Sequence, residues 1–166
     1  MNTDLTQLAT DLLAREAWLL DTRAWSDWLA LYEEDALFWV PTWLDDEAVA
    51  NDPETQLSFM YVQGHRGLRE RIAKATDIRA PASMPLPRIS HLLGPVMLVS
   101  AKENLARTRC AWQTLVYDPK TRRKNTYAGN YEHELARGSD GTLRIRRKTV
   151  TVINDEIDSK LDFFYI

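Results

Sequence analysis

The 166-residue chain has a single cysteine, Cys110. One cysteine excludes an internal disulfide. It also excludes any zinc or iron–sulfur centre built from several thiolates of this chain. There is no excess of positive charge: 21 Lys and Arg stand against 24 Asp and Glu, a net charge of −3. That balance argues against a nucleic-acid binder, which normally carries a basic surplus on one face. No apolar run approaches the roughly 20 residues that span a bilayer. The opening Met1-Asn2-Thr3-Asp4 is polar and acidic, unlike a secretory leader. These absences predict a cytoplasmic soluble protein without membrane or nucleic-acid partners. Hydrophobic residues at 45% and charged residues at 27% match a globular chain and exclude a disordered one. The length suits one domain, taken as residues 1–166, large enough to need no metal or disulfide staple.

Tryptophan, by contrast, is abundant: six, five of them between residues 18 and 43. Leu5, Leu8, Ala9, Leu12, Leu13 and Leu20 recur at helical spacing and predict an amphipathic helix. Asp21 is placed to cap a second helix, which carries Trp25, Trp28, Leu29 and Tyr32 and closes at Glu33-Glu34-Asp35. Ala36–Val40 reads as a first strand ending at Pro41. An acidic connection occupies residues 42–57, and Ser58–Gln63 is a second short strand. A third helix follows. Leu68, Ile72 and Ala75 face inward, with Arg66, Arg69, Arg71 and Lys74 mostly outside. Pro81, Pro85 and Pro87 mark a rigid loop.

The remainder reads as long strands: 89–100, 105–117, 125–136 and 143–153. In the second, Ala106, Cys110, Trp112 and Val116 alternate with Arg107, Arg109 and Gln113. Turns are expected at Asp118-Pro119-Lys120 and Gly138-Ser139-Asp140-Gly141. The apolar phase slips between Ile145 and Val150, predicting a bulge near Arg147. Helices followed by strands predict an α+β fold. Strands this long suggest a strongly curved antiparallel sheet wrapped around the N-terminal helices, a cone-shaped roll.

Candidate chemistry is sparse. His65, His91 and His133 lie on separate segments without the i, i+4 spacing of a helical zinc site, although a folded cone could gather them with a carboxylate around iron. A second possibility is an acid–base site of His133, Tyr131 and Asp35 in the cone, as in a stand-alone dehydratase, isomerase or cyclase. Its competitor is an interior filled by Trp112, Tyr127 and Tyr131, with Asp35 at a helix end. Cys110 lies on an apolar face and reads as a buried, inert thiol. Arg144, Arg146 and Lys148 would share an outer strand face, suited to ion pairs or to an acidic segment such as 45–47 of another chain. Trp39, Trp43 and the apolar ending Leu161-Asp162-Phe163-Phe164-Tyr165-Ile166 are candidate interface elements. The ending should dock on the sheet or between subunits.

Arg15-Glu16-Ala17, Leu19-Leu20-Asp21, Trp28-Leu29-Ala30-Leu31-Tyr32 and Glu34-Asp35-Ala36-Leu37-Phe38-Trp39-Val40-Pro41 together resemble the small (β) subunit of aromatic-ring-hydroxylating dioxygenases. The resemblance continues through the arginine-rich helix 66–74, Arg88-Ile89-Ser90-His91-Leu92 and Ile145-Arg146-Arg147-Lys148-Thr149-Val150, and the ending is similar to the benzoate, toluate and anthranilate branch. It implies a cystatin-like roll of the nuclear-transport-factor type. It also implies a terminal oxygenase of three large and three small chains, with the small chains forming a trimer. The large (α) chain would hold a Rieske 2Fe–2S cluster and a mononuclear non-haem iron, receive electrons originating from NADH, and cis-dihydroxylate an aromatic ring, in this branch that of an aromatic carboxylate. The small chain would carry no cofactor, no metal and no catalytic residue. One cysteine is consistent with this, since a Rieske centre takes two cysteines and two histidines.

Overall fold

A computed structural model describes residues 2–77, 79, 84–154, 157 and 161–166. Helix α1 runs Asn2–Asp21 and α2 runs Trp25–Leu29. Strands β1 (Tyr32–Pro41) and β2 (Ser58–Gln63) precede helix α3 (Gly64–Ala75). Five strands follow: β3 (Arg88–Leu93), β4 (Met97–Lys102), β5 (Leu105–Tyr117), β6 (Lys124–Arg137) and β7 (Leu143–Val152). A 3-10 turn, Phe163–Tyr165, lies near the C-terminus.

The leucine stripe does its expected work. Ala9, Leu13, Leu19 and Leu20 of α1 are buried, with Leu5 and Leu12 packed at the margin of the same core. Asp21, however, caps nothing. It is the last residue of α1, and α2 begins after Ala24 with no side-chain cap. The Asp21 carboxylate instead accepts the His91 backbone N–H (3.0 and 3.2 Å) and lies 2.6 Å from His91 Nδ1, tying α1 to β3. Glu33-Glu34-Asp35 does not close a helix either. These residues lie inside β1, which starts four residues earlier than expected. The expected single strand over 89–100 is two, split at Gly94-Pro95-Val96 after the Gly94 N–H makes a last bond to the Ala111 carbonyl at 2.8 Å. Strands β3 and β4 pair with opposite ends of β5.

The sheet has the order β2-β1-β7-β6-β5-β3, with β4 also on β5. The β5–β6–β7 meander is antiparallel, as the turn residues predicted. The expectation of a strongly curved, wholly antiparallel roll is overturned. The sheet is mixed, because β1 runs parallel to β7, and it is open, with β2 at one edge and β3 and β4 at the other. Length and twist propensity indicate only that long strands form. The direction of β1 is set by a tertiary partner more than 100 residues away, to which local sequence is blind.

The predicted bulge is present and decides which residues face inward. Glu134 pairs with Arg147 and Leu135 with Ile145, so Arg146 is the extra residue on β7. The insertion puts Ile145 and Lys148 on the same, inner side. The expected outer face of Arg144, Arg146 and Lys148 therefore does not form: the first two are exposed and Lys148 is 1% exposed. The inner face collects Ala106, Cys110, Trp112 and Val116 of β5, Tyr127, Tyr131 and Leu135 of β6, and Val150 and Val152 of β7. The apolar ending docks in this same core. Phe163 and Phe164 each meet the Trp25 ring at 5.6 Å, and Phe163 lies 5.1 Å from Trp28.

Candidate functional site

Two arrangements of polar side chains stand out, one inside the core and one on the outer face of the sheet. The inner one begins with Glu16. It shares the α1 stripe with Ala9, Leu13 and Leu20, one helical turn from each neighbour, so its carboxylate is delivered into the core. Lys148 reaches it from β7, Nζ to Oε1 at 3.0 Å. The Tyr32 hydroxyl donates to the same oxygen. The Lys148 ammonium also sits 4.1 Å from the Tyr131 ring centroid and 5.6 Å from that of Phe38, so aromatic faces supply part of the solvation it gave up. Burial by itself would raise the Glu16 carboxyl. The Lys148 ammonium, the neighbouring His133 and the Tyr32 hydroxyl together more than offset that, and the carboxyl is held well below the usual carboxylate range. The Glu16 carboxyl is therefore ionised at neutral pH.

His133 and Tyr131 are adjacent, as their phase on β6 predicted, with rings edge-on at 5.6 Å. Asp35 is not with them: it is exposed on β1. The proposed triad of His133, Tyr131 and Asp35 does not assemble, and the carboxylate near His133 is Glu16. His133 Nε2 lies 3.8 Å from Glu16 Oε2, beyond direct hydrogen-bond distance. Burial pushes the imidazole pKa down despite the nearby carboxylate, so His133 is neutral at pH 7. Tyr131 stacks flat on Trp112 at 4.9 Å and Tyr127 on Tyr165 at 6.0 Å, filling the interior with aromatic rings.

The other histidines are also engaged separately. His65, at the start of α3, has Nε2 3.0 Å from the Tyr32 carbonyl, and His91 pairs with Asp21. Among the described residues, no three His, Cys, Asp or Glu side chains are grouped so as to hold a metal ion. Cys110 is buried, and burial pushes its thiol up to about 11, the inert state read from its apolar face. A lone protonated thiol does not fit the donor set of an iron–sulfur cluster.

The sequence reading missed Glu16, Tyr32 and Lys148 as a unit. A signal for Glu16 was present: a carboxylate at a position spaced three and four from buried leucines needs a buried partner. That partner could be named only after the bulge had been placed.

On the outer face, Arg107 pairs with Glu134 at 2.8 Å and Arg109 with Glu132 at 2.9 Å across β5 and β6. Trp39 lies beside them. Its Nε1 donates to Ser58 Oγ at 2.8 Å, and the Arg147 guanidinium stands 5.5 Å over its ring. Trp39 is only 4% exposed within its own chain. Trp43 Nε1 donates to the Val152 carbonyl at 2.7 Å, so both expected interface tryptophans are anchored internally. Arg107, Arg109, Glu132, Glu134, Arg147 and Trp39 line a groove of about 500 Å³. No helix among the described residues is long and apolar enough to cross a membrane.

Comparison with known proteins places this architecture. Residues 15–159 match the family described as "Ring hydroxylating beta subunit". The anthranilate 1,2-dioxygenase small subunit of Acinetobacter baylyi is 30% identical over 166 residues, covering all of both chains. The 2-halobenzoate 1,2-dioxygenase small subunit of Burkholderia cepacia is 34% identical, covering 92% of this chain and 90% of its own. The crystal structure of the benzoate 1,2-dioxygenase β subunit from Burkholderia mallei superposes with a TM-score of 0.78 at 30% identity, covering 95% of each chain. The chain therefore belongs to the β-subunit family of aromatic-ring-hydroxylating dioxygenases, in its benzoate, toluate and anthranilate branch, as the small partner of a large catalytic subunit.

Proposed function

We propose that this chain, acting as one domain over residues 1–166, is the non-catalytic scaffold of a cytoplasmic terminal oxygenase built from three large and three small chains. In this reading the small chains form a trimeric base. The large chains carry the Rieske cluster and the mononuclear iron, and an aromatic carboxylate is dihydroxylated there. The observation that carries the reading is the filling of the core. Trp112 stacks on Tyr131 and Lys148 is locked to Glu16, in the space where a cone-shaped enzyme would keep a pocket with a mobile proton. A base engaged in an ion pair and wrapped by rings is committed to structure.

The test is co-expression with the large chain encoded beside it, purification through a tag on this chain, and measurement of mass, iron and oxygenation of benzoate and anthranilate. A hexamer with its iron on the large chain is expected. A free monomer with a dehydratase or isomerase activity abolished by His133→Ala would overturn it.

A further inference from the structure

We infer that the acidic loop Asp45-Asp46-Glu47 of one small chain seats in the arginine groove of the next small chain. This contact rests on the ring of small chains proposed above and names the residues that would close it.

The groove is built on rigid strands. Arg107 and Arg109 come from β5, Glu132 and Glu134 from β6, Arg147 from β7 and Trp39 from β1. Its three guanidinium groups outnumber its two carboxylates. Glu134 and Glu132 are taken by Arg107 and Arg109, which remain more than half exposed beyond those pairs. Arg147 has no carboxylate within ion-pair distance among the described residues. Its Nε donates only to Thr149 Oγ1, at 3.3 Å. Lying over Trp39, its planar group is already oriented, so little side-chain freedom remains to be lost when an anion arrives.

The loop has the opposite charge. Its arms are stitched by Leu44 N–H to the Ala48 carbonyl (2.8 Å) and Ala50 N–H to the Thr42 carbonyl (2.9 Å), with Trp43 bridged to Val49. Asp45 Oδ1 accepts the N–H groups of Glu47 and Ala48, fixing the tip. Residues 44–48 are all exposed. Among the described residues, none of the three carboxylates has a cationic partner in its own chain. A chain that holds an under-neutralised basic groove and an unpaired acidic tip presents two complementary, non-identical patches. Joining such patches head to tail propagates from copy to copy and closes into a ring when the rotation permits. The loop also stands next to the groove, since Val49 and Ala50 of its returning arm form part of the groove wall. Neighbouring chains would therefore cross close together at that end of the sheet.

The experiment uses the full small chain co-expressed with the large chain, with stoichiometry read by native mass spectrometry and dissociation followed on dilution. Asp46→Lys/Glu47→Lys reverses the loop, and Arg147→Glu reverses the free cation in the groove. Each alone is expected to raise the concentration at which small chains separate by at least tenfold, with an unchanged circular dichroism spectrum. The three substitutions combined in one chain restore the charge match and should recover most of the assembly, which a merely damaged fold would not do. Unchanged assembly in both single-patch variants, or no recovery in the combined one, overturns the contact. Loss of the large chain alone, with the small-chain ring intact, assigns the groove to the large subunit and likewise overturns it. Wild-type small chains that never associate with one another refute the ring itself, a result distinct from failure of this contact.

Discussion

Glu16 and Lys148, 132 residues apart in sequence, meet at 3.0 Å with both side chains almost fully buried. Removing both charges from water costs several kcal/mol per ion, and their attraction repays it only because the geometry is close and the Tyr32 hydroxyl and the Tyr131 ring complete the shell. The pair thereby joins the first helix to the last strand. It also fixes the β7 register, because a slip of one residue would turn Lys148 outward and strand Glu16.

Lys148→Met should accordingly destabilise the chain by about 3–5 kcal/mol, since it leaves a buried carboxylate without its cation. The double variant Glu16→Leu/Lys148→Met should recover more than half of that loss. Urea unfolding of the two variants beside wild type measures both. Equal destabilisation in the single and double variants would show that Lys148 contributes packing and not charge compensation.

Acid should weaken the fold in two stages. His133 has a lowered pKa in the folded chain, so the unfolded chain binds more protons once the pH drops below roughly 6.5. The groups that face it are Glu16 and Lys148. Its contribution is present above that pH and declines as the pH falls toward the folded value. The Glu16 carboxyl is also held low, so its contribution is present above roughly 4.3 and declines as the pH falls below it. Thermal melts from about pH 7.5 down to about pH 2.5 should show Tm falling below roughly pH 6.5 and again below roughly pH 4.3, and His133→Phe should flatten the first of these slopes while leaving the acid limb. A Tm that rises on acidification would contradict both assignments.

Gly129 marks a place where strands β6 and β7 leave no room for a side chain. A Cβ built there would stand 1.8 Å from the Thr151 carbonyl oxygen, against rigid strand backbone. Gly129→Ala should therefore cost about 2–3 kcal/mol by forcing the ladder apart. Gly141→Ala serves as the control for packing, because nothing lies within 4 Å of its Cβ position; its φ of +81° leaves only backbone strain. Chemical denaturation that ranks Gly141→Ala as the more damaging would refute the steric argument.

Local periodicity made much of this fold legible. The alternation from Ala106 to Val116 gave β5 its inner and outer faces, the apolar phase slip located the bulge on β7, and the glycine-rich 138–141 segment gave the β6–β7 turn. Relations that join distant segments were not legible. Nothing near Tyr32 announces that β1 will lie parallel to β7, and that pairing is what made the expectation of an all-antiparallel, curled sheet fail. The same blindness put Lys148 on the outer face, since the slip revealed a bulge but not that Arg146 was the inserted residue. It also joined Asp35 to His133, although the acid that reaches His133 comes from α1.

The apolar ending reads equally well, from sequence, as a subunit contact or as part of the chain's own core, and the structure separates the two. Phe163, Phe164, Tyr165 and Ile166 are all at most 8% exposed, wedged against Trp25, Trp28 and Tyr127 within one chain. Their loss should then be felt before any assembly occurs. Phe164→Ala is expected to destabilise the isolated small chain by about 3–5 kcal/mol, the range for an aromatic side chain removed from a packed core. The shift in unfolding midpoint should be the same at low and high protein concentration, because the contact is intramolecular. A shift that grows with concentration would mean that the ring packs between copies, since only an interface residue couples stability to mass action.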